Sequence, residues 1–104
     1  MAFKIVWTTQ AIKGYDNIIN YLEENWPEKE ASNFANEADR FFDILMFHPE
    51  ILQRTAEYKN VYRGPINSLT MVTYRIKSIK KYIELISIRS SRQKPLKLLS
   101  TSLK

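Results

Sequence analysis

Cysteine is absent from the 104 residues, which excludes disulfides, thiolate nucleophiles and thiolate metal ligands. That composition fits a reducing cytosol. Histidine occurs once, as His48, so a transition-metal site built on several imidazoles is excluded too. No metal and no cofactor is expected. The greasiest stretch, FFDILMF, contains Asp43 and falls far short of the ~20 residues that cross a bilayer. The opening MAFKIVWTTQ has neither a long apolar run nor a small-residue cleavage site, so no signal peptide is expected. The expectation is a soluble, cytoplasmic protein with no membrane role.

Carboxylates are the next scarcity, and they are scarce in one half only. Residues 51–104 hold Glu57 and Glu84 against twelve Lys/Arg, a net of +10, while residues 1–50 hold nine carboxylates against Lys4, Lys13, Lys29 and Arg40, a net of −5. The overall +5 therefore hides a lopsided molecule, able to steer towards an anionic partner. A plainer reading, acidic helices and basic strands dividing the charge, stays open. What is present otherwise is ordinary for a folded chain: 44% hydrophobic and 26% charged residues, enough for one core in one domain over 1–104.

The apolar pattern changes period along the chain. FKIVW places Phe3, Ile5 and Trp7 on one face and Lys4 and Val6 on the other, which predicts a strand. Thr8 or Thr9 can cap the helix that follows, whose stripe is Ile12, Tyr15, Ile18, Ile19 and Leu22; Gly14 weakens it slightly. ENWPEKE breaks the helix, and Pro27 opens a second one with Glu28 and Glu30 at its positive end. Its stripe is Ala31, Phe34, Ala35, Ala38, Phe41, Phe42 and Leu45, and Pro49 stops it near His48. From there the period falls to two. NVYRGPI predicts a short strand, edge or bulged because of Gly64 and Pro65. LTMVTYRIK and KYIELISIR predict a hairpin joined around Ser78 to Lys81. Apolar residues of both parities in the last run predict a central strand covered on both sides. The tail PLKLLSTSLK can add a helical turn or a docked strip through Leu96, Leu98 and Leu99. The order β-α-α-β-β-β is an α+β fold, a two-helix hairpin packed on a mostly antiparallel twisted sheet.

This order, with IVWTTQAIKGYDNIINYLEENW, LMFHPE, Arg63, VTYRI and IELISIRSSRQKP in place, resembles the RelE/ParE superfamily of toxins from bacterial type II toxin–antitoxin (plasmid stabilisation) modules. The resemblance covers nearly the whole chain. It implies a growth-inhibiting toxin with one of two activities. RelE-like members enter the ribosomal A site and cut messenger RNA without a metal, and ParE-like members poison DNA gyrase without being nucleases. It also implies a cognate antitoxin, and either a homodimer or a toxin–antitoxin hetero-oligomer.

Metal-free RNA cleavage needs a base, an acid and a cation for the charge growing on the phosphate. In RelE-like nucleases an arginine commonly lies three residues before the tyrosine of the third strand. That tyrosine matches Tyr74, and the position three earlier is Met71, whose thioether cannot stabilise a phosphorane. Many of those nucleases also carry a tyrosine or histidine at or after the end of the fourth strand. Here the last tyrosine is Tyr82, at the start of that strand, and the one histidine is His48, at a helix end.

The remaining candidates for catalysis are Lys59, Arg63, Arg89 and Arg92, with Glu57 or Glu84 as a base and Tyr58 or Tyr62 as a stacking platform. Each has a structural alternative: Glu84 on the less buried face of a strand, the two tyrosines in edge packing, His48 on the last carbonyls of its helix, Trp7 and Trp26 in core and hinge. Arg63 can pair with an acidic residue of the helices. Arg63, Arg89, Arg92, Lys94 and Lys97 are the candidate target- or nucleic-acid-binding residues, since arginine forks at strand ends suit phosphates and carboxylates. The missing cleavage residues favour a non-catalytic gyrase inhibitor. The alternatives are a ribosome-dependent endoribonuclease and a basic nucleic-acid-binding adaptor whose affinity falls with salt.

Overall fold

The computed structural model describes residues 2–90. Seven elements follow one another: β1 (Lys4–Trp7), α1 (Thr9–Asn25), α2 (Glu28–Phe47), β2 (Gln53–Arg54), β3 (Val61–Asn67), β4 (Thr70–Lys77) and β5 (Tyr82–Ser90). The strands form one sheet in the order β1-β5-β4-β3-β2. Only the β1–β5 pair is parallel; the others are antiparallel. The expected α+β architecture is therefore present, with the two-residue strand β2 as an addition. No periodic signal marks it, because its two residues, Gln53 and Arg54, are both exposed.

Thr8 makes the turn from β1 into α1. Its Oγ1 accepts a bond from the Ala11 N–H at 3.1 Å, capping the helix, and donates to the Leu85 carbonyl at 2.7 Å. One hydroxyl thus starts α1 and fastens it to β5. Gly14 completes the approach: a Cβ there would collide with the Ile88 carbonyl oxygen, so the helix lies on β5 only because this residue has no side chain. Ala11 is fully buried beside it, whereas Ile12, expected in the stripe, is 47% exposed. The close approach rotates the small residue, not the large one, towards the sheet.

Pro27 stands just before α2 with ψ 151°, and Glu28 and Glu30 occupy the first turn. The helix ends at Phe47, where His48 leaves helical geometry at φ −133°, ψ 70° ahead of Pro49. The expected stripe of α2 is the buried one, led by Phe34, Phe41 and Leu45. These meet Val72, Tyr74 and Ile76 of β4 and Ile83, Leu85 and Ile88 of β5 in one cluster. Trp7 sits edge-on between Tyr15 and Phe42, at 5.4 and 5.3 Å between ring centroids, as the core residue expected.

Two packing expectations are corrected. Trp26 is 46% exposed rather than packed in a hinge. Tyr62 is core, not edge: it is 8% exposed and stacks on Tyr74 at 5.6 Å. β3 lies between β2 and β4, with the expected irregularity falling between Pro65 and Asn67.

The mixed parity of β5 has a different cause from the one expected. β4 pairs Thr73 with Ser87 but Tyr74 with Leu85, so Ile86 is an extra residue, a β-bulge. Before it, odd residues (Ile83, Leu85) face the helices; after it, an even one (Ile88) does. The strand has one apolar face, interrupted once. A consequence reaches the end of β5: Arg89 would share the helix-facing parity of Leu85 without the bulge, and with it stands exposed on the opposite face.

Candidate functional site

Residues directly opposite in a sheet share a face, so the registers assemble the surface opposite the helices row by row. The first row is Lys77, Tyr82, Lys4. The second is Val61, Arg75, Glu84, Val6, and the third Gln53, Arg63, Thr73, Ser87. The fourth is Pro65, Met71, Arg89. Among the described residues this face therefore carries five cations, Lys4, Arg63, Arg75, Lys77 and Arg89, against the single carboxylate Glu84. Of the eight Lys/Arg between residues 51 and 90, four stand on this face, Arg63, Arg75, Lys77 and Arg89.

The cations differ in how far they are committed. Arg75 meets Glu84 at 3.8 Å, both partly exposed; Glu84 thus stands on the less buried face of its strand, and the pairing with Arg75 is additional. Arg63 is exposed and its Nε donates to Thr73 Oγ1 at 3.3 Å. The expected alternative, a helix carboxylate as its partner, is replaced by this cross-strand hydroxyl, because Arg63 points away from the helices. That bond fixes the stem and leaves the terminal nitrogens for a partner. Arg89 is exposed opposite Met71. Two strand spacings and one row separate Arg63 from Arg89, about 12 Å between Cα atoms. Arg92, Lys94 and Lys97 lie outside the described residues.

The cleavage candidates are scattered. Lys59 and Glu57 are exposed in the β2–β3 loop, before Val61, at the far end of the sheet from Arg89. Tyr58 in the same loop is 60% exposed, which replaces its expected edge packing. Tyr82 is three rows from Arg89, about 20 Å away along the strands. His48 is exposed at the end of α2, where its backbone N–H, rather than the imidazole, bonds the Ile44 and Leu45 carbonyls.

Tyr74, the match to the third-strand tyrosine, is fully buried on the helix side. Its hydroxyl donates to the Pro49 carbonyl at 2.6 Å and so holds the α2–β2 connection against the sheet. Burial pushes its pKa from 10.0 up to about 12; a backbone bond from Leu52 lowers it, and the charges of Tyr62 and Glu50 raise it. Such a hydroxyl neither reaches the cationic face nor gives up its proton near neutrality.

Lys4, Arg75 and Lys77 were not among the expected site residues. The signal for two of them was present: in TMVTYRIK the positions 71, 73, 75 and 77 alternate with buried 70, 72, 74 and 76. Placing Lys4 beside them needs the parallel β1–β5 pairing, which joins residues 78 positions apart.

No helix among the described residues is long and apolar enough to cross a membrane. Solved structures share the fold. A chain of the chromosomal ParDE toxin–antitoxin system from P. aeruginosa superposes with a TM-score of 0.69 at 16% identity, covering 86% of this chain and 96% of that one. A chain of the intact RelBE toxin–antitoxin complex from E. coli gives 0.60 at 12% identity, covering 88% and 99%. The YoeB dimer from Staphylococcus aureus gives 0.56 at 14% identity, covering 86% and 97%. At these identities the likeness establishes the fold alone. No curated protein sequence matches. The family described as ParE toxin of type II toxin-antitoxin system, parDE, matches residues 5–95, almost the whole chain, and this protein belongs to it.

Proposed function

We propose that this toxin inhibits growth without catalysis, by docking its cationic sheet face on a target protein, DNA gyrase. The observation that carries the reading is the fourth row: Met71 stands opposite Arg89, with no acid or base beside them in that row. Arg63 and Arg89, extended by Arg92 and Lys94, are the docking residues. A field of one sign on a rigid sheet accelerates encounter with an acidic surface and fixes its orientation. The same face gives a cognate antitoxin its purchase: an acidic segment laid over it masks the residues the target needs. Structural relatives are described as toxin–antitoxin complexes, which supports such a partner.

A ribosome-dependent nuclease is the second reading, favoured by one feature, the fit of clustered Lys and Arg to a phosphate backbone. Primer-extension mapping of messages after induced expression, with DNA breaks scored in parallel, separates the two. Double-strand breaks with intact messages are expected. Cuts in register with codons would sink the inhibitor reading.

A further inference from the structure

On the helix side, away from the cationic face, a groove of about 450 Å³ lies between the α1–α2 corner, the β3–β4 turn and the end of β5. Leu22 and Phe34 line it, together with Trp26 and Leu69, which are 46% and 36% exposed. Two carboxylates, Glu30 and Glu37, give it a negative rim. Glu37 accepts a bond from Asn67 Nδ2 at 2.8 Å, which holds that rim to the β3–β4 turn. The groove is thus apolar inside, acidic outside, and broad enough for several side chains.

Its remaining wall includes Ser90, the last described residue. The chain continues from that point as SRQKPLKLLSTSLK, fourteen residues with leucines at 96, 98, 99 and 103, cations at 92, 94, 97 and 104, and no carboxylate. Leu96 follows Ser90 by six positions, a reach of at most about 20 Å. The sequence that leaves the groove therefore carries the apolar side chains that would fill it and the charge that its rim lacks.

We propose that segment Leu96–Leu99 of this chain docks in the groove, its leucines against Leu22, Phe34 and Trp26 and Lys97 facing Glu30 and Glu37. This assigns Lys97 to internal docking rather than to the target, and places Arg92 and Lys94 in a connection whose start is fixed beside Arg89. The proposal does not rest on the gyrase reading, and its test involves neither target.

The probe is Trp26, which lines the groove, against Trp7, which is enclosed by Tyr15 and Phe42. Acrylamide quenching of tryptophan fluorescence is compared between the full-length chain and the variant Leu96→Asp, Leu98→Asp, Leu99→Asp, with thermal melts alongside. Emptying the groove is expected to raise quenching of the Trp26 component roughly two-fold, because an occupied groove shields most of the surface it contacts. The same tail substitutions placed on Trp26→Phe are expected to change nothing. Equal quenching of the two full-length chains overturns the proposal. So does an increase that persists on Trp26→Phe, since it would report loosening around Trp7 instead.

Discussion

Arg63 and Arg89 stand apart from Arg75 at the level of single side chains. Arg75 has a carboxylate opposite it, while Arg63 is braced by a neutral hydroxyl and Arg89 faces a thioether. Reversing both to glutamate is expected to abolish growth inhibition while changing stability by no more than about 0.5 kcal/mol, the usual range for exposed positions. A folded double variant that still arrests growth would refute the site. Tyr74 is the opposite case, a fully buried side chain committed to the fold. Tyr74→Phe removes the bond to Pro49 and is expected to cost about 1–2 kcal/mol in denaturant unfolding, with inhibition by the folded fraction preserved.

Tyr74 also has a pH signature. Its folded pKa of about 12 exceeds the ordinary 10.0, so between those values the unfolded chain has lost a proton that the folded chain keeps. Stability from this group is complete below pH 10 and is lost as pH rises towards 12. Burial, then the charges of Asp39 and Asp16, also raise Tyr15, which adds an alkaline loss of the same sign. Tyr74→Phe should show a shallower fall in unfolding free energy above pH 10, with the Tyr15 part left. An unchanged slope would place the hydroxyl in water in the folded state.

At the scale of elements, what was legible followed from period and punctuation. The α2 stripe, the stop at Pro49, the Thr8 cap and the β4–β5 hairpin are local, and local chemistry predicts them. Within α1 alone Gly14 is a mild weakness, because its cost is local while its reason, the Ile88 carbonyl, is 74 positions away. The bulge at Ile86 is hidden in the sequence for a similar reason. In one dimension, a strand with both parities apolar and a strand that changes parity midway are the same string. Only pairing with β4 distinguishes them.

Deleting Ile86 tests the bulge. Without the extra residue, regular alternation from Leu85 keeps Ser87 and Arg89 on the cationic face and Ile88 towards the helices, the faces they already hold. The deletion variant should therefore stay folded, losing about 0.5–3 kcal/mol in urea titrations as the local twist of the bulge is lost. A chain left largely unfolded would mean that Ile86 is not the extra residue and that Ile88 and Arg89 change faces when it is removed.

For the whole molecule, the division of charge along the sequence becomes a division of surfaces. Arg63, Arg75, Lys77 and Arg89 of the second half, joined by Lys4, share one sheet face, and the helices with most of the carboxylates lie on the other. The sequence showed the asymmetry in its totals, but the gathering of Lys4, Lys77, Arg63 and Arg89 needed the sheet order β1-β5-β4-β3. We infer that this face disables gyrase by binding it. The most direct test is supercoiling by purified DNA gyrase in the presence of the purified chain, with the Arg63→Glu, Arg89→Glu variant as control. The wild-type chain is expected to block supercoiling, and the variant to leave it unchanged. Unimpaired gyrase at concentrations where the chain cuts ribosome-bound message would contradict it.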